Sequence, residues 1–403
     1  MANWAKLQEQ LTGLPVVKRA KHSIHFDKGN GEIVANFSGK PCHYQDTDGL
    51  WKPIDTKLLL LPDGFYGSPH SDVKIHKDGR VKAGGYQQKS ALVAAKEGVV
   101  DGDKIVREFK FGTQYLYMKE DGFRQETVIT RPPTTAEAKY LIASESGKLP
   151  SKYKRSDITA IDADGAVHEF VNLGQFKKWL DAAAYPVTID PDFAGGTADG
   201  FYYGNHASDY SIARSTASAG STTNQSDAAV GQRYSTTLGV RVYRSFFLFD
   251  TSSIGSDSTV TQANLKIKVM FYETPATHFD IQVVKFNWGG KTVEEIYDGI
   301  LAGDEDDAIL TNTSSGAGTK TSGNLSTAWI NKTGTTYYGL RSSRDYSNTS
   351  PSVDTNERAG LYFADSSTEA YRPVLTVTYT TGGALLRVNM NAQMQALNGG
   401  MHG

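Results

Sequence analysis

Apolar and polar residues alternate along most of the first half of the chain. EIVANFSG, LWKPIDTKLLLL, DVKIHKDGRVKAGG, IVREFKFG and TQYLYMKEDGFRQETVIT all repeat with a period of two. That period predicts β-strands with one buried face. Between them recur DTDG (46–49), HKDG (76–79), KEDG (119–122) and DADG (162–165). Asp-Gly suits the positive φ of a tight turn, and no further oxygen ligand follows DTDG or DADG at the offset a calcium loop requires. Two stretches break the pattern. Trp4, Leu7, Leu11 and Leu14 recur at helical spacing before Gly13 and Pro15 end the run, which predicts a short opening helix. Such a helix is not stable alone, so its apolar face docks on the chain's own first domain or on a neighbouring subunit. Phe176, Trp179, Leu180 and Ala183 mark a second short helix, stopped by Pro186.

Beyond about residue 191 the composition turns to Ser, Thr and Gly. SIARSTASAGSTTNQSDAAVGQRYSTTL holds almost no large apolar residue and reads as loop or exposed edge. GVRVYRSFFLFD, in contrast, predicts a strand buried on both faces. VTQANLKIKVMFYE, HFDIQVVKFN, TTYYGLRSS, RAGLYFADS and PVLTVTY follow as strands, with helix expected only at TVEEIYDGILAG (292–303). Leu386, Met390, Met394 and Leu397 then fall at i, i+4, i+8 and i+11, a short amphipathic helix with a methionine-rich face of the kind that adapts to partner surfaces. The expected class is all-β: an N-terminal helical arm (1–20), a β-rich domain (21–190), a β-sandwich (191–382) and an amphipathic tail (383–403). Trp4, Leu7 and Leu11 at one end, and Leu386, Met390, Met394 and Leu397 at the other, are the candidate assembly residues.

Composition narrows the partners. The chain has 403 residues, 39% hydrophobic and 21% charged, with a formal net charge of -2. This length suits two domains, and the charge balance gives no electrostatic case for nucleic acid or an anionic membrane. No apolar run reaches membrane-spanning length. The opening MANWAKLQEQLTGLP lacks the basic and apolar regions of a secretory signal. Cys42 is the single cysteine, so an internal disulfide and a thiolate cluster are excluded. It is either a nucleophile or a small residue beside a strand.

No catalytic constellation stands out. GDEDDA places Asp304, Asp306 and Asp307 in one loop. Neighbouring carboxylates do not make the facing pair of a glycosidase, which leaves a solvated acidic loop or a structural calcium site of hard oxygen ligands; no other cofactor is expected. The nine histidines show no zinc-protease spacing. Trp288, Trp329, Tyr337 and Tyr338 border Gly- and Asn-rich loops, so they are either sugar-stacking platforms or packing residues.

YRSFFLFDTSSIGSDSTVTQANLKIKV, followed much later by YRPVLTVTY, resembles the DNRLRE-type domain, a jelly-roll β-sandwich related to carbohydrate-binding modules. The matching positions are Arg244, Phe247-Leu248-Phe249-Asp250, Ser252-Ser253-Ile254, Ala263 with Leu265, and Arg372-Pro373 to Tyr379. In place of the DNRLRE hexapeptide stands DTNERAGLYF (354–363). HYQDTDGLWKPIDTKL (43–58) is similar to the β-domain that precedes such sandwiches in RHS-type and wall-associated surface proteins. The resemblance implies a jelly roll with possible glycan contact. Together with the terminal arms and the absence of a signal, it leads to the expectation of a non-enzymatic bacteriophage structural protein. That protein would be a head-decoration, head-fibre or tail-associated component, made in the host cytoplasm, homo-oligomeric, joined to other virion proteins and touching host glycans. The alternatives are a carbohydrate-binding surface module and, further off, a polysaccharide-degrading enzyme.

Overall fold

The computed structural model describes residues 4–89, 97–119, 122–141, 144–150, 154–155, 159–163, 167–169, 172–190, 192–194, 199–221, 228–273, 278–304, 308–364, 366 and 368–381. The protein is built of antiparallel β-sheets with a few short helices. Residues 44–197 form one compact unit, and residues 2–43 join those from 198 onward in a second. The chain therefore starts in the second unit, leaves it and returns. The sequence pattern groups 21–43 with the β-rich domain that follows, but strand pairing assigns them to the other unit.

The opening helix α1 (Trp4–Thr12) precedes a meander of β1 (Val16–Ala20), β2 (Ser23–Gly29) and β3 (Glu32–Ser38). Trp4 and Ala5 are buried against Ile24, Phe26, Cys42 and Val374. Gln8, also buried, accepts a hydrogen bond from Asn36 Nδ2 at 3.0 Å. The helix thus docks on the strands that follow it and on the last strand of its own chain.

In the unit of residues 44–197 the turns of DTDG and HKDG take their expected form, while residues of KEDG (119–122) and DADG (162–165) lie outside the described residues. Gly49 and Gly79 have φ of 76° and 91°, and the Asp46 carboxylate accepts from the Asp48 and Leu50 backbone N–H groups. One sheet runs β4 (Leu59–Leu60), β5 (Tyr66–Gly67), β6 (Val73–Ile75), β7 (Arg80–Ala83), β8 (Tyr86–Lys89), with β4 at its edge. A second contains β9 (Val99–Asp101), β10 (Lys104–Phe109), β11 (Gly112–Lys119), β12 (Gly122–Ile129) and, beyond α2 (Leu173–Ala182), β13 (Val187–Asp190). Ile75, Val81 and Tyr86 of the first sheet share a core with Ile105, Leu116, Met118 and Phe123 of the second. Helix α2, capped by the Asn172 side chain, buries Phe176 and Leu180 against Ile129, Val187 and Ile189.

The other unit resumes with β14 (Asp199–His206), α3 (Tyr210–Ser215), β15 (Ala228–Ser235), β16 (Gly239–Asp250), β17 (Thr259–Glu273) and β18 (Asp280–Lys285). It ends with α4 (Val293–Ala302), β19 (Ile309–Asn312), β20 (Thr335–Ser342), α5 (Ser343–Tyr346), β21 (Thr355–Leu361) and β22 (Val374–Thr380). The strand order is β1-β2-β3-β22-β17-β21-β15-β16-β20-β18-β19, with β14 also on β16. β17 links the halves: Thr259–Lys266 pair with β22, and after a register break near Val269, its end pairs with β21. The two halves share one core, in which Ala35, Leu265 and Leu375 join Phe247, Val283 and Leu340. A sheet that switches partners along one strand and encloses a common core is sandwich-like.

β16 is covered on both sides, as its apolar run predicts. Tyr243, Phe247 and Phe249 enter the main core, while Phe246 and Leu248 face Trp288 and α4. The Ser/Thr-rich stretch departs from the loop reading. It contains helix α3, capped by Asp209, and strand β15. β15 escapes the hydrophobic pattern because Gln232, fully buried, stands where an apolar residue would be expected. Tyr210 donates to its amide oxygen, and its amide nitrogen donates to Glu357 and to the Thr349 carbonyl.

Candidate functional site

The four candidate stacking aromatics separate into two groups. Alternation along β20 sends Tyr337 and Tyr338 to opposite faces. Tyr338 is wholly buried in the main core, 6.2 Å from the Trp329 ring, and burial pushes its phenol pKa up. Tyr337 packs edge-on to Trp288 at 5.1 Å, in a cluster with Phe246, Ile296 and Ile300 beneath α4. Trp288 is buried and donates Nε1–H to the Phe247 carbonyl at 3.3 Å. Gly289 makes this packing fit, because a Cβ there would lie 2.5 Å from the Tyr337 hydroxyl. The quartet therefore fills two cores and presents no common platform.

Asp304 is exposed but bonded to its neighbours. Its carboxylate accepts from Trp329 Nε1 at 3.3 Å, and its carbonyl accepts from the Lys285 N–H at 2.7 Å. Asp306 and Asp307 lie outside the described residues. Among the described residues no group of three or more His, Cys, Asp or Glu side chains could hold a metal ion. Of the candidate assembly residues, Trp4 is buried, Leu7 is half-buried and Leu11 is 65% exposed. Leu386, Met390, Met394 and Leu397 lie outside the described residues. Cys42 is buried, with its Sγ 3.3 Å from His43 Nδ1.

One extended polar assembly was not among the expected sites. Arg244, on the α4-facing side of β16, is completely buried. Its Nε and Nη2 donate to the two oxygens of Asp345 on α5 at 2.7 and 3.0 Å. Nη1 donates to the Tyr297 carbonyl on α4, and Nη2 also donates to the Arg214 carbonyl on α3, both at 2.9 Å. The guanidinium lies 3.8 Å from the Tyr297 ring centre. Burial works to lower its pKa, but the Asp345 carboxylate holds it above the ordinary value. One side chain thus fastens three helices to one strand. Arg244 and Asp345 are both fully enclosed, and the remaining donors go to backbone carbonyls, so the arrangement braces the backbone. The signal was present in the Tyr-Arg that opens YRSFFLFD, but its partner lies 101 residues away.

A second closed cluster joins β2 to β22. His25 Nε2 lies 2.9 Å from Ser23 Oγ and 3.1 Å from Ser253 Oγ, and Nδ1 lies 2.8 Å from the Tyr379 hydroxyl. Burial lowers its pKa to about 3, and burial likewise lowers that of His43 to about 4. A serine–histidine contact is the start of nucleophile activation, but Ser23 and Ser253 also bond each other at 2.8 Å, so these hydroxyls are engaged within the cluster. The consequence is acid sensitivity. The unfolded chain protonates each histidine near pH 6.5, whereas the folded chain does so only near pH 3 and pH 4. The stabilisation is complete above pH 6.5 and is lost as the pH falls from there towards the folded values. Between pH 7.5 and pH 5 the expected loss is about 2 kcal/mol for His25 alone. Urea midpoints at the two pH values measure it, and His25→Asn should flatten the dependence. An unchanged slope in that variant would refute the assignment.

On the outer face of β11, Tyr115 and Tyr117 stack with centroids 6.1 Å apart. Lys104 lies over the first ring at 5.6 Å and Lys119 over the second at 5.8 Å. Both tyrosines are half-buried. The alternation of TQYLYMK carried this signal, since it puts both aromatics on the polar face of the strand.

No protein-family model matches this chain, and no curated protein matches it. No described helix is long and apolar enough to cross a membrane.

Proposed function

We propose that the chain is a non-enzymatic structural protein of a bacteriophage particle, a head-decoration, head-fibre or tail-associated component whose sandwich is displayed outward. The observation that carries this reading is the bracing of the sandwich by the opening segment, which packs on strand β22 from the far end of the described chain. α1 packs on β2 and β22 and bonds β3 through Gln8, and in the sequence residues 382–403 come after β22, whose Thr380 pairs with Glu32 of β3. A sandwich braced in this way suits a display role, and α1 is spent on that bracing, which leaves the segment after Thr381 as the proposed attachment device. The buried, internally bonded aromatics and the Arg244 assembly support a scaffold more than a sugar-binding cleft. The DNRLRE-type, jelly-roll resemblance belongs to the same proposal, because its two signature strands, β16 and β22, border one core.

The test is the solution mass of the intact chain and of a chain ending at Thr381. Only the tail is removed, because α1 is part of the core. The reading expects an oligomer that falls to a smaller species when the tail is absent. Equal masses would overturn it. Glycan binding by the shortened chain would favour a carbohydrate-binding module instead, for which the Tyr115–Tyr117 face is the supporting feature.

A further inference from the structure

Two of the described edge strands, one in each unit, are defended differently. β1 carries Lys18 and Arg19, charges of the kind that blunt an edge. β4 carries leucines: Leu59 is 48% and Leu60 is 65% exposed, and no described strand pairs with its outer side. The hydrogen-bond pattern fixes what that edge offers. Leu59 pairs with Gly67, and the Leu61 N–H donates to the Phe65 carbonyl at 2.8 Å. Antiparallel pairs alternate between bonded and non-bonded positions, so the N–H and C=O of Leu60 point away from β5. On either side the edge closes. The Leu58 N–H donates to the Gly102 carbonyl at 3.0 Å, and Pro62 has no N–H. Leu60 is therefore a single open rung flanked by apolar side chains.

The sequence around that rung is self-complementary in reverse. Reading outward from Leu60, Leu59 mirrors Leu61, Leu58 mirrors Pro62, and Lys57 mirrors Asp63. We propose that two copies of this chain pair antiparallel through β4, about a two-fold axis at Leu60. The two Leu60 residues exchange N–H···O bonds, and Leu59 of each copy lies beside Leu61 of the other. The exposed Lys57 meets Asp63 of the second copy, whose carboxylate is oriented by Lys74 at 2.9 Å. A groove of about 530 Å³ lined by Leu59, Leu61, Pro62, Gly67, Pro69 and Lys74 adjoins the rung and receives the added leucines. The contact is small and belongs with weak, transient pairings. It deepens the self-assembly expected above, but it uses β4 and not the tail, so the two can fail separately.

Sedimentation of the intact chain and of the chain ending at Thr381, up to roughly 0.5 mM, tests the pairing. A dimer should persist without the tail, and Leu60→Lys, an exposed change that leaves the fold intact by its melting curve, should weaken it at least roughly tenfold. Lys57→Asp and Asp63→Lys should each weaken the dimer, and the double exchange should restore it, because the mirrored charges then attract again. Leu60→Cys should form a disulfide dimer readily, since bonded antiparallel partners lie about 5.5 Å apart at Cα. Leu11→Cys, equally exposed, is the control, and native Cys42 is buried. A tail-less chain that stays monomeric overturns the proposal. So does an association indifferent to Leu60→Lys, or cross-linking at position 60 no faster than at position 11.

Discussion

Replacing Asp345 by asparagine is expected to destabilise the sandwich by about 3–5 kcal/mol, the usual result of breaking a buried ion pair from one side. The size follows from what remains. Arg244 stays fully buried and charged, with no carboxylate to offset its desolvation, and Arg214, 3.2 Å from the same carboxylate, loses its partner too. Removing both charges is a different experiment. Arg244→Met with Asp345→Leu deletes the desolvation penalty along with the attraction, so the double variant should recover much of the loss. The recovery should be incomplete, because the Tyr297 and Arg214 carbonyls lose their donors. Urea midpoints of the three proteins measure both effects. A loss below about 1 kcal/mol in Asp345→Asn would place the pair in the class of exposed bridges and contradict the burial described.

Trp329→Ala is expected to cost about 3–5 kcal/mol, the range for removing a buried aromatic. Trp329 packs against Tyr338 inside the main core, and its indole N–H reaches Asp304. The variant leaves a cavity and frees a carboxylate that the indole had engaged. A tryptophan serving as an exposed sugar platform would behave in the opposite way, with stability unchanged and glycan binding gone. Thermal and urea melts decide between them. A midpoint within about 1 kcal/mol of the parent would return Trp329 to the surface and reopen the platform reading.

What could be read from the sequence was local. β16 contains a continuous apolar run, and only burial on both faces hides it. The capping box of Thr292 with Glu295 and the apolar face of Ile296 and Ile300 are present in TVEEIYDGILAG. Pairing was another matter. Alternation defines β3 as a strand and says nothing about its neighbour, so the sequence grouped residues 21–43 with the strands that follow them, whereas β3 pairs with β22. β15 was missed because a buried glutamine looks like a loop residue until its three partners are in place. The sequence left Trp288, Trp329, Tyr337 and Tyr338 open between platform and packing for a similar reason. Glycine and asparagine beside Trp288 suggested an open rim, yet α4 closes over it, and only the assembled layers reveal that cover. Arg244 looked like one more strand residue until Asp345 arrived beside it.

The pairing of β3 with β22 also bears on how the protein is made. Asn36 and Thr376, hydrogen-bonded across these strands, are 340 residues apart in the chain. At ordinary elongation speeds of about 5–20 residues per second, the first hairpin leaves the ribosome tens of seconds before the strand that completes its sheet. Through that interval the residues that will bury Trp4, Ile24 and Phe26 lack Val374, and the residues 44–197 between them can collapse into their own two-sheet core. Closure then has to recapture a waiting N-terminus across an already folded intervening segment. Loop-closure entropy makes such long-range pairing slow, and the nascent chain is most vulnerable to mispairing and to proteases until its final strand is synthesised.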